Sequence, residues 1–334
     1  MEQVGRTRSL SIGSILTETR IGADQVEELE QVGGGAYGSV YKVKLKNSNL
    51  IVAMKRLNTI IGQNAQASFM RELETLAFLH HYSCLSLIGY DIPISENDYC
   101  NPVIFTPFVE SGTMESLLTV DNETPYSNPT TFSITFYGIA RALEYLHENG
   151  IIHRDLKPDN ILYNIFSHPV LADFGFSVNV KKADQVIPGG TLFYEAPETL
   201  SEGTTSTESD IYSFGMILYN SFNLYYPDTI YFEGINGEPN NRQLIQYRIQ
   251  GIMPVKPDDI EEDIWEIILK CLNLDPQQRP KAKELREFFA DPNHWLPNTD
   301  AEAFNEYVSA VDFESSKEFK LHLRKHIFQR IRNH

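Results

Sequence analysis

The feature that most constrains this chain is the run His-Arg-Asp-Leu-Lys-Pro-Asp-Asn at residues 153–160. It places an aspartate, a lysine and an asparagine at positions 155, 157 and 160, which is too tight a spacing for a regular surface pattern. Pro158 breaks any helix at this point, so the run must be a shaped loop. The preceding residues have helical apolar spacing and end in Asn149-Gly150, a pair typical of a helix stop. The sequence therefore predicts a rigid polar loop directly after a helix.

This run resembles the catalytic loop of the protein kinase family, because it matches His-Arg-Asp-Leu, three further residues and an asparagine in order. Other segments of the family pattern occur in the family's order, and together they cover about residues 26–290. They are the glycine-rich run 33–38, Lys55, Glu72, Asp173-Phe174-Gly175 and Gly190–Glu198. Each segment alone is a weak signal, but their joint order and spacing favour the family.

The glycine-rich run lies among residues 26–57, which are predicted to form strands. Gly33 to Gly38 followed by Val40 is the pattern G-x-G-x-x-G-x-V, whose glycines let a backbone approach phosphates closely. The same hexad also occurs in dinucleotide-binding folds, where a helix follows immediately. Here residues 39–46 continue as a strand, which favours the kinase hairpin.

Lys55 ends the run Val-Ala-Met-Lys at residues 52–55, on a strand predicted to be buried. An unpaired buried ammonium group is costly, so Lys55 needs an acidic partner. Alignment with the family places this partner at Glu72 on the next helix. Glu74 is the competing choice, but it points about 200° away around the helix, so the two cannot both face Lys55.

Charge and cysteine content exclude several classes of protein. The net charge of −17 over 334 residues disfavours a nucleic-acid backbone as the main partner, because phosphate contacts need a surplus of lysine and arginine. Three widely spaced cysteines form neither a zinc motif nor a disulfide framework, which is typical of a reducing compartment. No apolar run approaches the length of a spanning helix, and residues 1–25 lack a signal-peptide core. We expect a cytoplasmic protein without a transmembrane segment.

The resemblance implies an α+β, two-lobed protein kinase fold with ATP between the lobes. The N-lobe would be a small antiparallel β-sheet with one helix, and the C-lobe would be larger and mainly helical. The expected boundaries are a polar leader at 1–25, a kinase domain at 26–290 and a helical tail at 291–334. Within the domain, the N-lobe takes about 26–106, the hinge 107–109 and the C-lobe about 110–290.

The resemblance also implies an ATP- and Mg²⁺-dependent protein kinase active in intracellular signalling. Asp155 would orient the substrate hydroxyl and accept its proton, while Lys157 would neutralise the γ-phosphate. Lys55, paired with Glu72, would hold the other phosphates. Oxygen ligands suited to Mg²⁺ would come from Asn160 and Asp173. The implied nucleotide-binding residues are Val32, Gly33, Gly35, Gly38, Val40, Ala53, Lys55, Thr106 at the gatekeeper position, Val109 and Leu162.

Lys157 and Thr191 resemble the pattern of serine/threonine kinases rather than tyrosine kinases. The runs at 79–90 and 190–198 are similar to the tyrosine-kinase-like group of that class. Two structural contacts are also implied by the resemblance. Asp210 would bond the backbone of the catalytic loop, and Arg279 would pair with Glu198. A catalytically silent scaffold with the same fold is the alternative, although such proteins generally lack one of the residues retained here.

Arg154 departs from the usual setting, because in the family this arginine usually binds an activation-loop phosphate. The usual phosphorylated position falls on Ile187, which has no hydroxyl. We expect activity that does not depend on phosphorylation there, with Asp184 serving Arg154 instead.

Two further segments depart from the family pattern, a long connection within it and the tail that follows it. Residues 222–242 are rich in aromatics and either dock a partner or substrate or pack locally. In the tail, Thr299 to Glu302 reads as a capping box that starts a helix. A basic amphipathic helix follows, with Phe319, Leu323, Ile327 and Ile331 on one face. Either it contacts a partner or a membrane surface, or it packs on its own lobe.

Overall fold

The structure is a computed structural model that describes residues 20–34, 38–57, 63–92, 101–121, 123–180, 189–223 and 240–315. The chain divides into two compact units. The first unit holds the described residues up to His80 together with Leu85–Phe108. The second unit holds His81–Cys84 and the described residues from Val109 onward.

The first unit is an antiparallel sheet of five strands with one helix among its described residues. The strands are β1 (Val26–Gly34), β2 (Gly38–Leu45), β3 (Ile51–Leu57), β4 (Gly89–Asp91) and β5 (Val103–Pro107), in the order β1-β2-β3-β5-β4. The helix is α1 (Gln63–Phe78), which buries Phe69, Leu73 and Leu76 at helical spacing.

Strand alternation decides which residues of the sheet form its core. Val52 and Met54 of β3 are buried on one face, whereas Ala53 and Lys55 point to the other. The buried face joins one apolar cluster: Ile21, Val26, Val43, Leu45, Val52, Met54, Ile88, Val103 and Phe105. The other face carries Ala53 and Lys55.

Residues 20–25, expected to be the end of a polar leader, belong to the first unit in the structure. Ile21 is buried in the apolar cluster, and its backbone nitrogen donates to the carbonyl of Tyr90 at 2.9 Å. Arg20 forms an ion pair with Asp91 at 2.9 Å. A single apolar residue in a polar context thus extends the unit towards the N-terminus.

The second unit is mainly helical, with two short β-ribbons. Its helices are α2 (Met114–Thr119), α3 (Pro129–Glu148), α4 (Pro197–Glu202), α5 (Thr207–Phe222), α6 (Asn241–Ile249), α7 (Glu262–Cys271), α8 (Ala282–Ala290) and α9 (Ala301–Ser315). The ribbons pair β6 (Ile151–Ile152) with β9 (Val178–Asn179) and β7 (Ile161–Tyr163) with β8 (Pro169–Leu171). The core lies around α3 and α5, and every residue of α5 from Glu208 to Phe222 is buried.

Helix α9 follows the region that resembles the family and packs on α3. Phe304, Tyr307 and Val311 are fully buried on one face of α9, and the Tyr307 hydroxyl lies 2.7 Å from Ser83 Oγ. The tail up to residue 315 is therefore part of the second unit. Residues 316–334, which carry the expected basic helix, lie outside the described residues.

The capping residue of α9 differs from the expectation. Asp300 is the N-cap, since its Oδ1 accepts from the backbone nitrogens of Glu302 and Ala303 at 2.9 and 3.2 Å. Thr299 instead turns its hydroxyl back to the carbonyl of Leu296 at 2.7 Å. Both Asp and Thr are favourable N-cap residues, and here Asp300 is the N-cap because it immediately precedes the helix.

The fold class expected from the sequence is confirmed by the five-stranded sheet and the helical unit. Within the described ranges, no helix is long and apolar enough to cross a membrane.

Candidate active site

In the first unit, Lys55 and Glu72 form a two-pronged ion pair. Lys55 Nζ lies 2.9 Å from Glu72 Oε1 and 2.8 Å from Oε2. Glu72 is buried on α1, so its carboxylate loses water and gains the ammonium group in return. The partly buried Glu74 lies two positions away on the helix. The structure thus decides between the two candidate partners of Lys55 in favour of Glu72.

Four of the predicted nucleotide-binding residues share one face of this sheet. Val40 of β2 pairs with Lys55, and Ala53 of β3 pairs with Thr106 of β5. Directly opposed residues in an antiparallel pair point to the same face, as do residues two apart on one strand. The face therefore presents Val40, Ala53, Lys55 and Thr106 together, opposite to the apolar cluster.

Gly33 and Gly38, on either side of the β1–β2 turn, differ in whether the structure has space for a side chain. A Cβ on Gly38 would lie 2.5 Å from the carbonyl oxygen of Arg56, so the close approach of β3 excludes a side chain there. A Cβ on Gly33 would meet only Val40 at 3.8 Å, which is ordinary contact. Packing therefore explains Gly38 but not Gly33. Gly35 lies outside the described residues, and Val32 is 45% exposed at the end of β1.

In the second unit, the loop 153–160 gathers Asp155, Lys157 and Asn160 with Thr191. Thr191 Oγ1 donates to Asp155 Oδ1 at 2.9 Å and accepts from Lys157 Nζ at 2.9 Å. Asn160 Nδ2 donates to Asp155 Oδ2 at 3.1 Å, and Lys157 Nζ lies 3.3 Å from that same oxygen. Asp155 is only 5% exposed. The carboxylate is thus fixed by three side chains.

Asp210 shapes the start of this loop from α5. Its carboxylate accepts from the backbone nitrogens of His153 and Arg154, both at 2.9 Å, as the resemblance implied. Arg154 has a φ of 70°, a left-handed conformation that an arginine adopts only when its surroundings hold it. The two hydrogen bonds that the backbone donates to the fully buried Asp210 stabilise this conformation. The helix before the loop ends as expected, with Gly150 at a φ of 76°.

The residues predicted to bind metal flank the same end of the antiparallel β7–β8 ribbon, because Ile161 pairs with Leu171. The Asn160 carbonyl accepts from the nitrogen of Ala172 at 2.9 Å, which places Asn160 beside the strand that leads to Asp173. Because Asn160 Nδ2 donates to both the carbonyl and the carboxylate of Asp155, its Oδ1 is oriented as an acceptor. Asp173 has a φ of 58°, and its Oδ1 accepts from the nitrogen of Gly175 at 3.3 Å. An amide oxygen and a carboxylate suit a hard cation such as Mg²⁺.

Val109 and Leu162 belong to the same part of the second unit. The segment after Val109 pairs with β7 through the Ser111 nitrogen and the Tyr163 carbonyl at 3.1 Å. The Tyr163 nitrogen returns a bond to the Gly112 carbonyl at 2.9 Å. This pairing places Leu162 beside the segment that follows Val109.

Arg154 donates from Nη1 to the carbonyl of Phe176 at 3.4 Å. Asp184, the expected partner of Arg154, and Ile187, the position usually phosphorylated in the family, lie outside the described residues. Near the loop, burial raises the pKa of Glu195, Asp155 adds to this effect, and Arg154 and Arg248 oppose it. The expected pair of Arg279 and Glu198 is present, with distances of 2.7 and 2.8 Å between its nitrogens and oxygens.

Sequence reasoning missed the bridging role of Thr191. It used this residue only to separate serine/threonine from tyrosine specificity, although Thr191 contacts both Asp155 and Lys157. The available signal was a hydroxyl side chain directly after Gly189-Gly190, where a turning backbone can bring it back to the loop.

Comparison with known proteins gives a consistent result. The chain matches the family described as protein kinase domain over residues 26–288. It is 29% identical to an Aurora kinase of Yarrowia lipolytica, over 79% of this chain and 67% of that protein. It is also 29% identical to rust resistance kinase Lr10 of Triticum aestivum, over 77% of this chain and 42% of that protein. For receptor-interacting serine/threonine-protein kinase 3 of Rattus norvegicus, the identity is again 29%, over 79% and 55%. The chain thus spans between 42% and 67% of these relatives.

Proposed function

We propose that this chain, which belongs to the protein kinase family, transfers the γ-phosphate of ATP to serine and threonine hydroxyls of protein substrates. The observation that carries the proposal is the set of contacts around Asp155. A buried carboxylate is held by Thr191 and Asn160, with the ammonium group of Lys157 at 3.3 Å. Phosphoryl transfer needs positioning and charge neutralisation more than covalent help, and this cluster supplies both.

Asp155 would orient the hydroxyl of the substrate and accept its proton. Its side chain is fixed by neighbours on both oxygens, so little reorganisation is needed when a hydroxyl arrives. Lys157 lies close enough to Asp155 to place a positive charge beside the same reacting group. This charge would offset the negative charge of the transferred phosphoryl group.

Asn160 and Asp173 would hold Mg²⁺. Mg²⁺ is usually bound by one or two protein oxygens together with substrate phosphates, and these two residues supply an amide oxygen and a carboxylate. No group of three or more acidic, histidine or cysteine side chains suited to a metal occurs among the residues that the structure describes. A metal shared with the phosphates of ATP does not need one. When bound, the cation would neutralise charge on those phosphates.

The nucleotide would be bound by the residues that the family resemblance implies. Lys55, fixed by Glu72, would meet the phosphates, and the glycines of 33–38 would offer backbone nitrogens. The sheet face of Val40, Ala53 and Thr106 would receive the base. Val32, Val109 and Leu162 would complete that set as the resemblance implies.

We place the chain in the tyrosine-kinase-like group of serine/threonine kinases and infer a role in intracellular signalling. The similarity to receptor-interacting serine/threonine-protein kinase 3 supports the group. Reduced cysteines favour the cytoplasm, since Cys84 and Cys271 are both buried as free thiols. Activity would not require phosphorylation at position 187.

The direct test incubates the purified chain with ATP, Mg²⁺ and a degenerate peptide library that contains serine, threonine and tyrosine. Mass spectrometry then locates the phosphates. We expect modification of serine and threonine that needs Mg²⁺ and is lost in Asp155→Asn. Phosphate confined to tyrosine would overturn the assigned specificity. A wild type that neither transfers phosphate nor binds ATP would point to the silent scaffold.

A further inference from the structure

Arg248 lies near the C-terminal end of α6 and is almost completely buried, with 2% of its surface exposed. Its Nη1 donates to the carbonyls of Leu192 at 2.8 Å and Glu195 at 3.2 Å. Its Nη2 donates to the carbonyl of Phe193. One guanidinium group therefore binds three backbone oxygens within a four-residue segment.

The fourth carbonyl of this segment is also held. Ser213 Oγ of α5 donates to the carbonyl of Tyr194 at 2.8 Å. The Tyr194 nitrogen donates to the carbonyl of Thr191 at 2.8 Å and so forms a turn. This turn links the segment to Thr191, the residue that bridges Asp155 and Lys157. Every carbonyl from residue 192 to residue 195 is thus bonded, and three of the four bonds come from Arg248.

The position of Arg248 is costly for a charged residue. Burial lowers the pKa of Arg248, since the interior disfavours its charged form. Its Nε has no hydrogen-bond partner among the described residues. The guanidinium lies over the rings of Tyr212 and Phe193 at 5.9 and 5.6 Å, and these cation–π contacts offset part of the cost of burying the charge. An apolar side chain would fill this site without the cost of burying a charge. The specific contribution of arginine is therefore its planar set of N–H donors, which bind the three carbonyls.

We propose that Arg248 is a positioning residue that fixes residues 192–195 as a rigid platform for the substrate peptide and thereby holds Thr191 against Asp155. This inference rests on the proposed kinase function. Arg248 touches neither Asp155 nor Lys157 in any contact that the structure gives. It acts through the backbone of the platform. Because Thr191 contacts Asp155 and adjoins residues 192–195, a peptide whose hydroxyl reaches Asp155 would lie next to this backbone.

The test compares Arg248→Met and Arg248→Lys with wild type. Arg242→Met serves as a matched control, because Arg242 is exposed on the same helix. Steady-state kinetics give kcat and KM separately for the peptide and for ATP, with enzyme concentrations corrected for the folded fraction. Amide hydrogen exchange of residues 189–196 reports on the platform directly and needs no activity.

In Arg248→Met we expect kcat/KM for the peptide to fall by about tenfold or more, through a higher peptide KM and, because Thr191 is held less firmly, a lower kcat. The KM for ATP should stay within about twofold of wild type. Exchange should accelerate in residues 189–196 and remain unchanged in α3. Arg248→Lys should fall between wild type and Arg248→Met, because an ammonium group lacks the planar fork. Arg242→Met should behave as wild type.

If Arg248→Met does not fold, Arg248→Lys decides the question by the same readouts. A peptide KM equal to that of wild type in a folded Arg248 variant would overturn the role of Arg248 alone. So would exchange that is unchanged in the platform. A wild type without any transfer would instead overturn the proposed function, and the substrate-positioning role with it.

Discussion

The pair of Arg279 and Glu198 gives the sharpest prediction about stability. The Arg279 side chain is fully buried and meets both oxygens of Glu198 at 2.7 and 2.8 Å. It also donates to the carbonyls of Asn273 at 2.9 Å and Glu208 at 3.0 Å. Glu198→Ala therefore removes the counter-charge but leaves the cation locked in place.

The expected cost of Glu198→Ala is large because an uncompensated buried charge is worse than a missing contact. Breaking such a pair from one side costs about 3–5 kcal/mol of unfolding free energy. Glu198→Gln keeps one acceptor oxygen and should cost less. Lys283→Ala is the matched control, since Lys283 and Glu287 form an exposed pair at 4.0 Å on α8. An exposed pair of this kind contributes about 0.3–0.5 kcal/mol.

Urea unfolding followed by tryptophan fluorescence measures the differences in unfolding free energy between these variants, and it reports on the second unit, where the ion pair lies. The chain has two tryptophans, Trp265 and Trp295, and both lie in the second unit with the ion pair. We expect Glu198→Ala to lower the free energy of unfolding far more than Lys283→Ala. If the two variants differ by less than about 1 kcal/mol, the reasoning about the buried cation is refuted.

The pH dependence of this pair has a definite sign. Burial alone would raise the pKa of Glu198, but the hydrogen bonds and charge of Arg279 outweigh it and hold the pKa below 4.5. A carboxyl group with a lowered pKa in the folded state stabilises it above the unfolded pKa. That contribution is lost as the pH falls through the folded pKa. The gap in stability between wild type and Glu198→Gln should therefore narrow below about pH 4.5.

Three further predictions concern other sites in the second unit. Gly138→Ala, which in an open helix would stabilise, should cost about 1–3 kcal/mol in urea unfolding, because its Cβ would lie 2.4 Å from the Tyr307 hydroxyl. Although burial acts to raise it, bonds from Lys281 and nearby groups lower the pKa of Glu208 to about 2. The stability difference between wild type and Glu208→Gln should therefore shrink as the pH falls from about 4.5 towards 2, and a constant difference would contradict this. Thr191→Val should reduce kcat for peptide phosphorylation by roughly 10- to 100-fold through its lost bonds to charged groups, and Thr191→Ser should restore most of it.

Much of the candidate site could be predicted because its residues are tied to short sequence patterns. Asp155, Lys157 and Asn160 lie on one tight loop, so their mutual proximity follows from the local chain. The contact of Lys55 with Glu72 also followed from a simple physical need, since a lysine on a buried strand requires a carboxylate. Helix geometry excluded only that Glu72 and Glu74 both face Lys55, and the choice of Glu72 came from alignment with the family.

Contacts between distant segments could not be predicted in the same way. Arg248 reads as an ordinary polar residue of a short helix, and nothing near it in the sequence indicates that residues 192–195 require three donors. The burial of Ile21 and the packing of Tyr307 depend equally on partners far along the chain. Such residues become recognisable only when the fold brings their partners together, because local polarity carries no information about a remote carbonyl or ring.

The most direct test of the account measures a single turnover of phosphate transfer from ATP to a serine peptide by wild type and by Asp155→Asn. The substitution preserves shape but removes the negative charge that would accept the proton. We expect the transfer rate to fall by roughly 100- to 10,000-fold while ATP binding is unchanged. Equal transfer rates in the two proteins would contradict the central role of Asp155.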